Sequence, residues 1–554
     1  MGEPLNSPNL TMAVHHYKSG NFAAAESLVR QELQFQPHNA ALWCFLGSIL
    51  RGTNNIEEAE TCQREALRLQ PGFPEAQFNL ANILLSRNCP REAIELYQHV
   101  LQQQPNMAMA HYSLALALSK AGRLSEAVDG FREALRLSPN HTESHINQAI
   151  TLYKLRRWQE AEQCCAQALA LQPDSANAYR TLSVSQWSAG QFSQALESCN
   201  RAISLEPTNA MGYLNRSRVR MALKDWSEAE TDLDAAVAQS SGDAEMHVAR
   251  AIFRLQRGDY QQGWAEYEAR EKDEAFAHNR TDIKPWDGSS LQGRTLFLKA
   301  EQGLGDTIQF IRYIPMIEKS GGKIIVACPK PLVRLLGTCS GIDQIVSTSD
   351  SMPEFDVYAS LMSLPCILKT TLDSVPATIP YLSADEELVA QWKQELAQFT
   401  GLKVGIAWQG NRENPFDYLR SVPLTHWANL IGLANVHVIS LQKGSDQLSD
   451  PAIIQYSDRL DEANGPFQDT AAIIRNLDLV ISVDSVIAHL AGALGSPVWV
   501  VLSQAPEWRW LREEKTTPWY PNAKIFRYVD SGNWSGVFEQ MAEELKAMIL
   551  KRNS

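Results

Sequence analysis

Three short segments in the second half of the chain hold residue types from which chemistry is built. The first is Glu301-Gln302-Gly303-Leu304-Gly305-Asp306. Gly303 and Gly305 permit a tight turn, and Asp306 then stands at or near the start of a helix. Its carboxylate either caps that helix by accepting a backbone N–H or takes a proton from a hydroxyl as a general base. The second is Asp484-Ser485-Val486-Ile487-Ala488-His489. Helix N-terminal N–H groups beginning near Ser485 and Val486 suit phosphate oxygens, and Ser485 and His489 share one helix face. A carboxylate repels phosphate, so Asp484 fits a sugar or ribose hydroxyl; the plain alternatives are a capping Asp and a core His. The third is the turn Gln409-Gly410-Asn411, followed by Arg420, whose guanidinium can pair two phosphate oxygens.

Each segment follows a short apolar run. Such runs occur at Leu296–Lys299, Lys323–Ala327, Gln344–Ser347, Val404–Trp408, His437–Leu441, Leu479–Val483 and Val498–Leu502, with helical patterns between most of them, as in Leu388–Gln398 and Thr470–Asn476. Strand and helix in alternation predict parallel sheets, here two, joined through Thr370–Asp385. Open parallel sheets bind ligands beyond the carboxyl ends of their strands, where all three segments fall.

The first half has a different grammar. Pro37, Pro71, Pro105, Pro139, Pro173 and Pro207 stand 34 residues apart, and Ala25, Ala59, Ala93, Ala127, Ala161, Ala195 and Ala229 keep the same spacing. A second small position recurs at Gly47, Ala81, Ala115, Ala149, Ser183 and Ser217, with turn residues at Gly20, Asn54, Asn88, Gly122, Gly190 and Gly258. The period specifies helix–turn–helix units in which small residues sit where the two helices meet and proline ends the second. Such units stack into a solenoid with a groove. One position of the first helices reads Asn79, Ser113, Asn147, Thr181 and Asn215. Its amides would hold the backbone of an extended peptide, or simply be polar residues on a solvated face.

The period and the set Trp43, Leu46, Gly47, Ala59 and Pro71 resemble the tetratricopeptide repeat. Seven units fit residues 6–243, and a degenerate eighth extends to 276. Residues 296–528 resemble the heptosyltransferase-like glycosyltransferases. Asp306 matches that family's Gly-Asp loop; Ser482, Val483, Asp484, Ser485 and His489 match its nucleotide-sugar segment; Arg420 matches a basic residue contacting phosphate, and Gln442 a nucleoside-contacting position. The block Glu507-Trp508-Arg509-Trp510 resembles bacterial chains that join repeats to this fold, soluble flagellin glycosyltransferases among them. Ser485 replaces the family's Thr and keeps the hydroxyl; Arg420 replaces a frequent Lys and keeps the charge.

The resemblance implies an α-solenoid over 6–276, a connection over 277–295, and an α/β GT-B fold with two Rossmann-like lobes, 296–385 on the acceptor side and 386–554 on the nucleotide-sugar side. It implies an inverting transferase that moves sugar from a nucleotide sugar to a hydroxyl of a protein held by the repeats, with Asp306 as base. A scaffold with a degenerate transferase fold, and transfer to a glycan or lipid, are the alternatives. No cofactor is expected, the nucleotide sugar being a substrate. The cleft segments lack a D-x-D pair, which favours phosphate neutralisation by Arg420 and helix ends over a metal. With 63 acidic against 50 basic residues, a net −13, nucleic acid is not an expected partner. Nine cysteines without a C-x-x-C pair, no signal-like start and no apolar run of membrane-spanning length lead to a cytoplasmic expectation.

Overall fold

The computed structural model describes residues 7–270, 283–411, 414, 417, 420–443, 450–456, 458–503, 507–512, 514–528 and 534–553; residues 277–282 of the expected connection 277–295 lie outside them. The chain divides into two compact units, Met1–Val219 and Arg220–Ser554.

Sixteen helices precede the first sheet among the described residues. They are α1 (Pro8–Lys18), α2 (Phe22–Phe35), α3 (Ala40–Gly52), α4 (Ile56–Leu69), α5 (Pro74–Ser86), α6 (Pro90–Gln103), α7 (Ala108–Lys120), α8 (Leu124–Leu137), α9 (Thr142–Lys154), α10 (Trp158–Leu171), α11 (Ala176–Ser188), α12 (Phe192–Leu205), α13 (Ala210–Ala222), α14 (Trp226–Gln239), α15 (Ala244–Gln256) and α16 (Tyr260–Tyr267). The recurring alanines, Ala25 through Ala229, are all fully buried. A Cβ at Gly47 would approach Gln63 Nε2 to 2.5 Å, which explains the absence of a side chain there. Each second helix stops two residues before its proline, whose carbonyl is left unpaired by the helix. In repeat after repeat, the side chain six positions on bonds to it: Trp43 to Pro37, Gln77 to Pro71, His111 to Pro105, His145 to Pro139 and Tyr213 to Pro207. The turn between the paired helices needs a left-handed residue. Gly20, Asn54, Asn88, Gly122, Gly190 and Gly258 supply it, but so do Arg156 (φ 61°) and Lys224 (φ 63°), which residue type alone does not announce.

The second unit contains α14–α16 and two parallel sheets. The first sheet has the order β1-β5-β2-β3-β4, from β1 (Lys284–Pro285), β2 (Thr295–Lys299), β3 (Lys323–Cys328), β4 (Gln344–Ser347) and β5 (Val357–Ser360). The other runs β11-β10-β9-β6-β7-β8, from β6 (Leu402–Ala407), β7 (Val436–Ser440), β8 (Ile453–Ile454), β9 (Leu479–Val483), β10 (Val498–Leu502) and β11 (Ala523–Arg527). The seven expected strands are all present within two residues at either end. The strands β1, β5, β8 and β11 carry too short or too mixed an apolar run to stand out. Helices of this unit include α17 (Leu304–Phe310), α18 (Glu386–Leu396), α19 (Gln468–Ile474) and α20 (Val486–Ala493), of which α17 and α20 carry site residues. The aromatics Tyr260, Trp264 and Tyr267 of α16 are buried in this unit's own core, where Trp264 meets Phe310, Trp508 and Trp519 edge-on.

Candidate functional site

β9 is a run of five buried residues, Leu479–Val483, that delivers Asp484 and Ser485 to the carboxyl end of its sheet. Ser485 is extended (φ −144°, ψ 170°) and caps α20 by accepting the Ile487 N–H at 3.2 Å; its hydroxyl also lies 2.9 Å from that of Ser482. Val486, half-buried, is the first helical residue. One turn on, His489 points inward and is buried, with Nδ1 2.9 Å from the Tyr520 hydroxyl and Nε2 4.0 Å from Asp484 Oδ1. Burial first, then the charges of Arg509, Arg312 and Arg420, hold His489 well below the ordinary imidazole range, so the ring is neutral. Burial raises the Asp484 carboxyl, against the pull of Arg509 and Arg420.

β2 leads into the loop that ends at Gly303, the N-cap of α17, and places Asp306 at the third helical position. Asp306 Oδ2 accepts the Gly303 N–H at 2.8 Å, while Oδ1 accepts from Arg509. The carboxylate therefore caps its helix, one of the two roles the sequence offered, and also carries an ion pair that the sequence did not announce. A Cβ on Gly305 would lie 2.7 Å from His489 Cδ2. That contact is where α17, built on one sheet, meets α20, built on the other. Asp306, Asp484 and His489, up to 183 residues apart in the chain, thus share one neighbourhood.

Arg509 organises that neighbourhood. Its guanidinium is buried, lies 4.2 Å over the Trp508 ring, and donates to Asp306, to Gln309 and to Glu507. Glu507 in turn accepts the Arg509 backbone N–H at 3.2 Å. Crowding by protein raises the Glu507 carboxyl to about 7, with Asp484 and Asp306 adding repulsion and Arg509 opposing it, although about a third of the side chain reaches solvent. In the sequence the block Glu507-Trp508-Arg509-Trp510 carries a family resemblance but no role. An arginine between two tryptophans was the available signal, since such a cation is more often stacked and buried than solvated.

The third segment lies at the ends of β6 and β7. The Gln409 N–H donates to Gln442 Oε1 at 3.1 Å, and the Gly410 N–H to Ser421 Oγ at 3.1 Å. Ser421 donates to Asp417 Oδ2 at 2.7 Å, and Asp417 Oδ1 stands 3.4 Å from Arg420 Nε. Gly410 must be glycine, because a Cβ would collide with Asp417 and come within 3.0 Å of Arg420 Nε. Arg420, 32% exposed, thus stands within ion-pair distance of the buried Asp417 without a hydrogen bond between those two atoms. Asn411 is exposed. The field of Arg420 reaches both Asp484 and His489.

The row of amides in the first unit is not an open ladder. Asn79 donates to Ser48 Oγ at 3.1 Å, and Asn147 to the Tyr112 hydroxyl at 3.1 Å and to its own helix at Glu143 O. Asn215 and Ser113 are buried, and Thr181 donates to the Asn177 carbonyl. Asn79 and Asn147 thus tie their helices to the first helix of the previous repeat, whereas Thr181 bonds within its own helix.

Two family models match segments within this first unit. The chain matches the tetratricopeptide-repeat domain of cytochrome c-type biogenesis protein H over residues 26–145, and a second tetratricopeptide-repeat family over 118–183. Residues 26–183 are tetratricopeptide repeats. Among solved structures, this repeat protein resembles YrrB, a tetratricopeptide-repeat protein with an unusual peptide-binding site (20% identical, 33% of this chain and 95% of that one, TM-score 0.31). It also resembles a tetratricopeptide-repeat protein of Parabacteroides merdae (18% identical, 44% and 97%, TM-score 0.37). Protein FlbA of Caulobacter vibrioides is 25% identical over 312 residues, so the chain spans about half the length of that relative, 52%, with 51% of its own. The repeats support a role in binding protein partners. No helix among the described residues is long and apolar enough to cross a membrane.

Proposed function

We propose that this repeat protein is a nucleotide-sugar-dependent glycosyltransferase with a GT-B-like pair of lobes, cytoplasmic, acting on a hydroxyl of a protein held by the repeats. One observation carries the reading. Helices α17 and α20, which follow strands of two separate parallel sheets, meet at Gly305 and His489, and bring Asp306, Asp484, Arg509 and Arg420 into a single charged cluster. A lone sheet would supply one of those carboxylates, not both.

In this reading Asp306 takes the proton of the acceptor hydroxyl as its oxygen attacks the anomeric carbon. The bond from that carbon to the diphosphate oxygen breaks with inversion, and the electron pair leaves on the nucleotide. Arg420, the Gln409–Asn411 turn and the helix opening at Ser485 offset the charge of the leaving group without a metal. Neutral His489 and Asp484 orient the donor. Arg509 pairs with both Asp306 and Glu507, so the two carboxylates share one guanidinium.

The first test is Asp306→Asn. Turnover should fall by about 10²–10⁴ with nucleotide affinity retained; normal transfer by this variant, read by mass spectrometry of glycosylated protein, defeats the assignment. Chelator should leave activity intact.

A second reading is a scaffold without catalysis. It is favoured by the engagement of both Asp306 oxygens, by Gly303 and by Arg509, as in a structural cap. A panel of nucleotide diphosphates separates the two. A bound nucleotide at 100 times its Kd adds about 2.7 kcal/mol to stability, whereas no thermal shift with any of them favours the scaffold.

A further inference from the structure

Three polar groups near Asp306 are left without a hydrogen-bond partner among the described residues. The Asp484 carboxylate is 8% exposed and its side chain closes no hydrogen bond; His489 Nε2 stands 4.0 Å from Oδ1, too far to bond. His489 Nε2 is the second such group, on a buried ring. The third is the Trp510 indole N–H, fully buried and unpaired. Trp510 packs over the His489 ring, with centroids 5.6 Å apart. Its N–H approaches Asp484 closely enough to counter, after Arg509, the rise that burial gives the carboxyl, without closing a hydrogen bond. Buried polar groups are ordinarily paired, so three left over in one place call for a bound group.

Tyr520 narrows what that group is. Burial raises the Tyr520 hydroxyl well above the ordinary phenol range, so it keeps its proton. The hydroxyl lies 2.9 Å from His489 Nδ1. The competing acceptor, the Tyr381 oxygen, is the weaker base and already accepts from Arg312 at 2.8 Å. Tyr520 therefore donates to Nδ1, and the neutral ring carries its own proton on Nε2. The three groups are then two donors, Nε2–H and the indole N–H, and one acceptor, Asp484. A hydroxyl matches them, because it accepts twice and donates once. A phosphate oxygen would satisfy the donors but meet the Asp484 charge, and an ammonium would satisfy Asp484 but not the donors.

We propose that Trp510, with Asp484 and His489, holds one hydroxyl of the donor sugar, and that Tyr520 is the positioning residue that makes His489 a donor there. This rests on the transferase reading, in which the diphosphate sits at the α20 opening beside Ser485 and Asp306 takes the acceptor proton. Asp484 adjoins Ser485, and His489 meets α17 at Gly305, next to Asp306. The sugar lies between those two ends.

Calorimetric titration of the full chain tests this, with UDP-glucose, UDP-N-acetylglucosamine, GDP-mannose and ADP-glucose beside UDP, GDP and ADP. At least one nucleotide sugar should bind more tightly than its nucleoside diphosphate. Trp510→Phe, which keeps an aromatic ring and drops the N–H, should weaken that sugar nucleotide roughly tenfold and leave the diphosphate unchanged. Asp484→Asn, equal in size, should weaken the sugar nucleotide as well, without weakening the diphosphate. Equal loss of the diphosphate, or no loss of the sugar nucleotide, in both variants overturns the subsite. With 15N-labelled histidine, the His489 signal, identified by its absence from His489→Gln, should show the proton on Nε2, and Tyr520→Phe should move Nδ1 to the position of an unbonded nitrogen. A proton on Nδ1 in the parent overturns the role of Tyr520. If diphosphates bind and no sugar improves on them, the three groups hold water alone and the subsite falls while the transferase reading stands. If no nucleotide binds, the transferase reading fails and takes the subsite with it.

Discussion

In the first unit Arg68 and Arg136, both exposed, each meet a glutamate three residues earlier on the same helix, Glu65 and Glu133. In the second unit Arg270, Arg312 and Arg509 are 7%, 3% and 5% exposed. Arg312 lies 4.5 Å from the rings of both Tyr381 and Tyr520 and donates to the Tyr381 hydroxyl and to backbone carbonyls, while Arg509 divides its donors among Asp306, Glu507 and Gln309. The same side chain decorates one unit and organises the other. Water screens the exposed pairs, so each contributes little; the buried ones lose that screening, so every donor must be matched.

The sharpest way to break this contrast is to delete one arginine from each unit. Arg509→Met leaves Asp306 and Glu507 beside each other without a cation, and should cost about 3–5 kcal/mol in urea unfolding. Arg136→Met should leave the unfolding midpoint where it is. A comparable loss from both would erase the distinction. Glycines offer a second comparison. A Cβ at Gly492 would overlap the Tyr520 ring, so Gly492→Ala should destabilise by about 1–3 kcal/mol. Gly72 has open space around it and no left-handed φ, so Gly72→Ala should stabilise by about 0.4–1 kcal/mol.

Smaller still is the change expected at Arg156, whose φ of 61° suits glycine. Arg156→Gly should gain up to about 1 kcal/mol by relieving the left-handed conformation, whereas a loss would mean that the Arg156 side chain matters to its repeat. The last comparison is a slope rather than a size. Glu507 is raised from 4.5 to about 7, so between those pH values the folded protein holds more protons than the unfolded chain. Its contribution to stability is whole below about pH 4.5 and is lost as the pH rises through 7. Glu507→Gln should therefore gain on the parent as pH rises, read as the difference in thermal midpoints at pH 4.5 and pH 8. A difference that stays constant with pH would place the Glu507 carboxyl in the ordinary range.

The solenoid was readable because its interactions are local and repeated. The buried alanine at 59 recurs at 93 and 127, and the proline carbonyl finds its donor six residues on, so each repeat restates the rule. The site was half readable. Asp306, Gln409, Gly410, Arg420, Gln442, Asp484, Ser485 and His489 stand at strand ends that apolar runs reveal. The pairing of Asp306 with Arg509, the nearness of Arg420 to Asp417 and the donors spent by Asn79 and Asn147 were not legible, since each depends on a partner that residue type does not name.

What the residues alone determined is the order of elements and the chemical types delivered to each sheet's mouth, because period and apolar run length are properties of consecutive positions. Only the tertiary structure decided that Arg509 would stand between Asp306 and Glu507. The bond from Arg509 to Asp306 joins positions 203 apart. Contacts at that separation are chosen by how α17 packs on α20, through the missing side chain of Gly305, and no local pattern encodes which helix will arrive there.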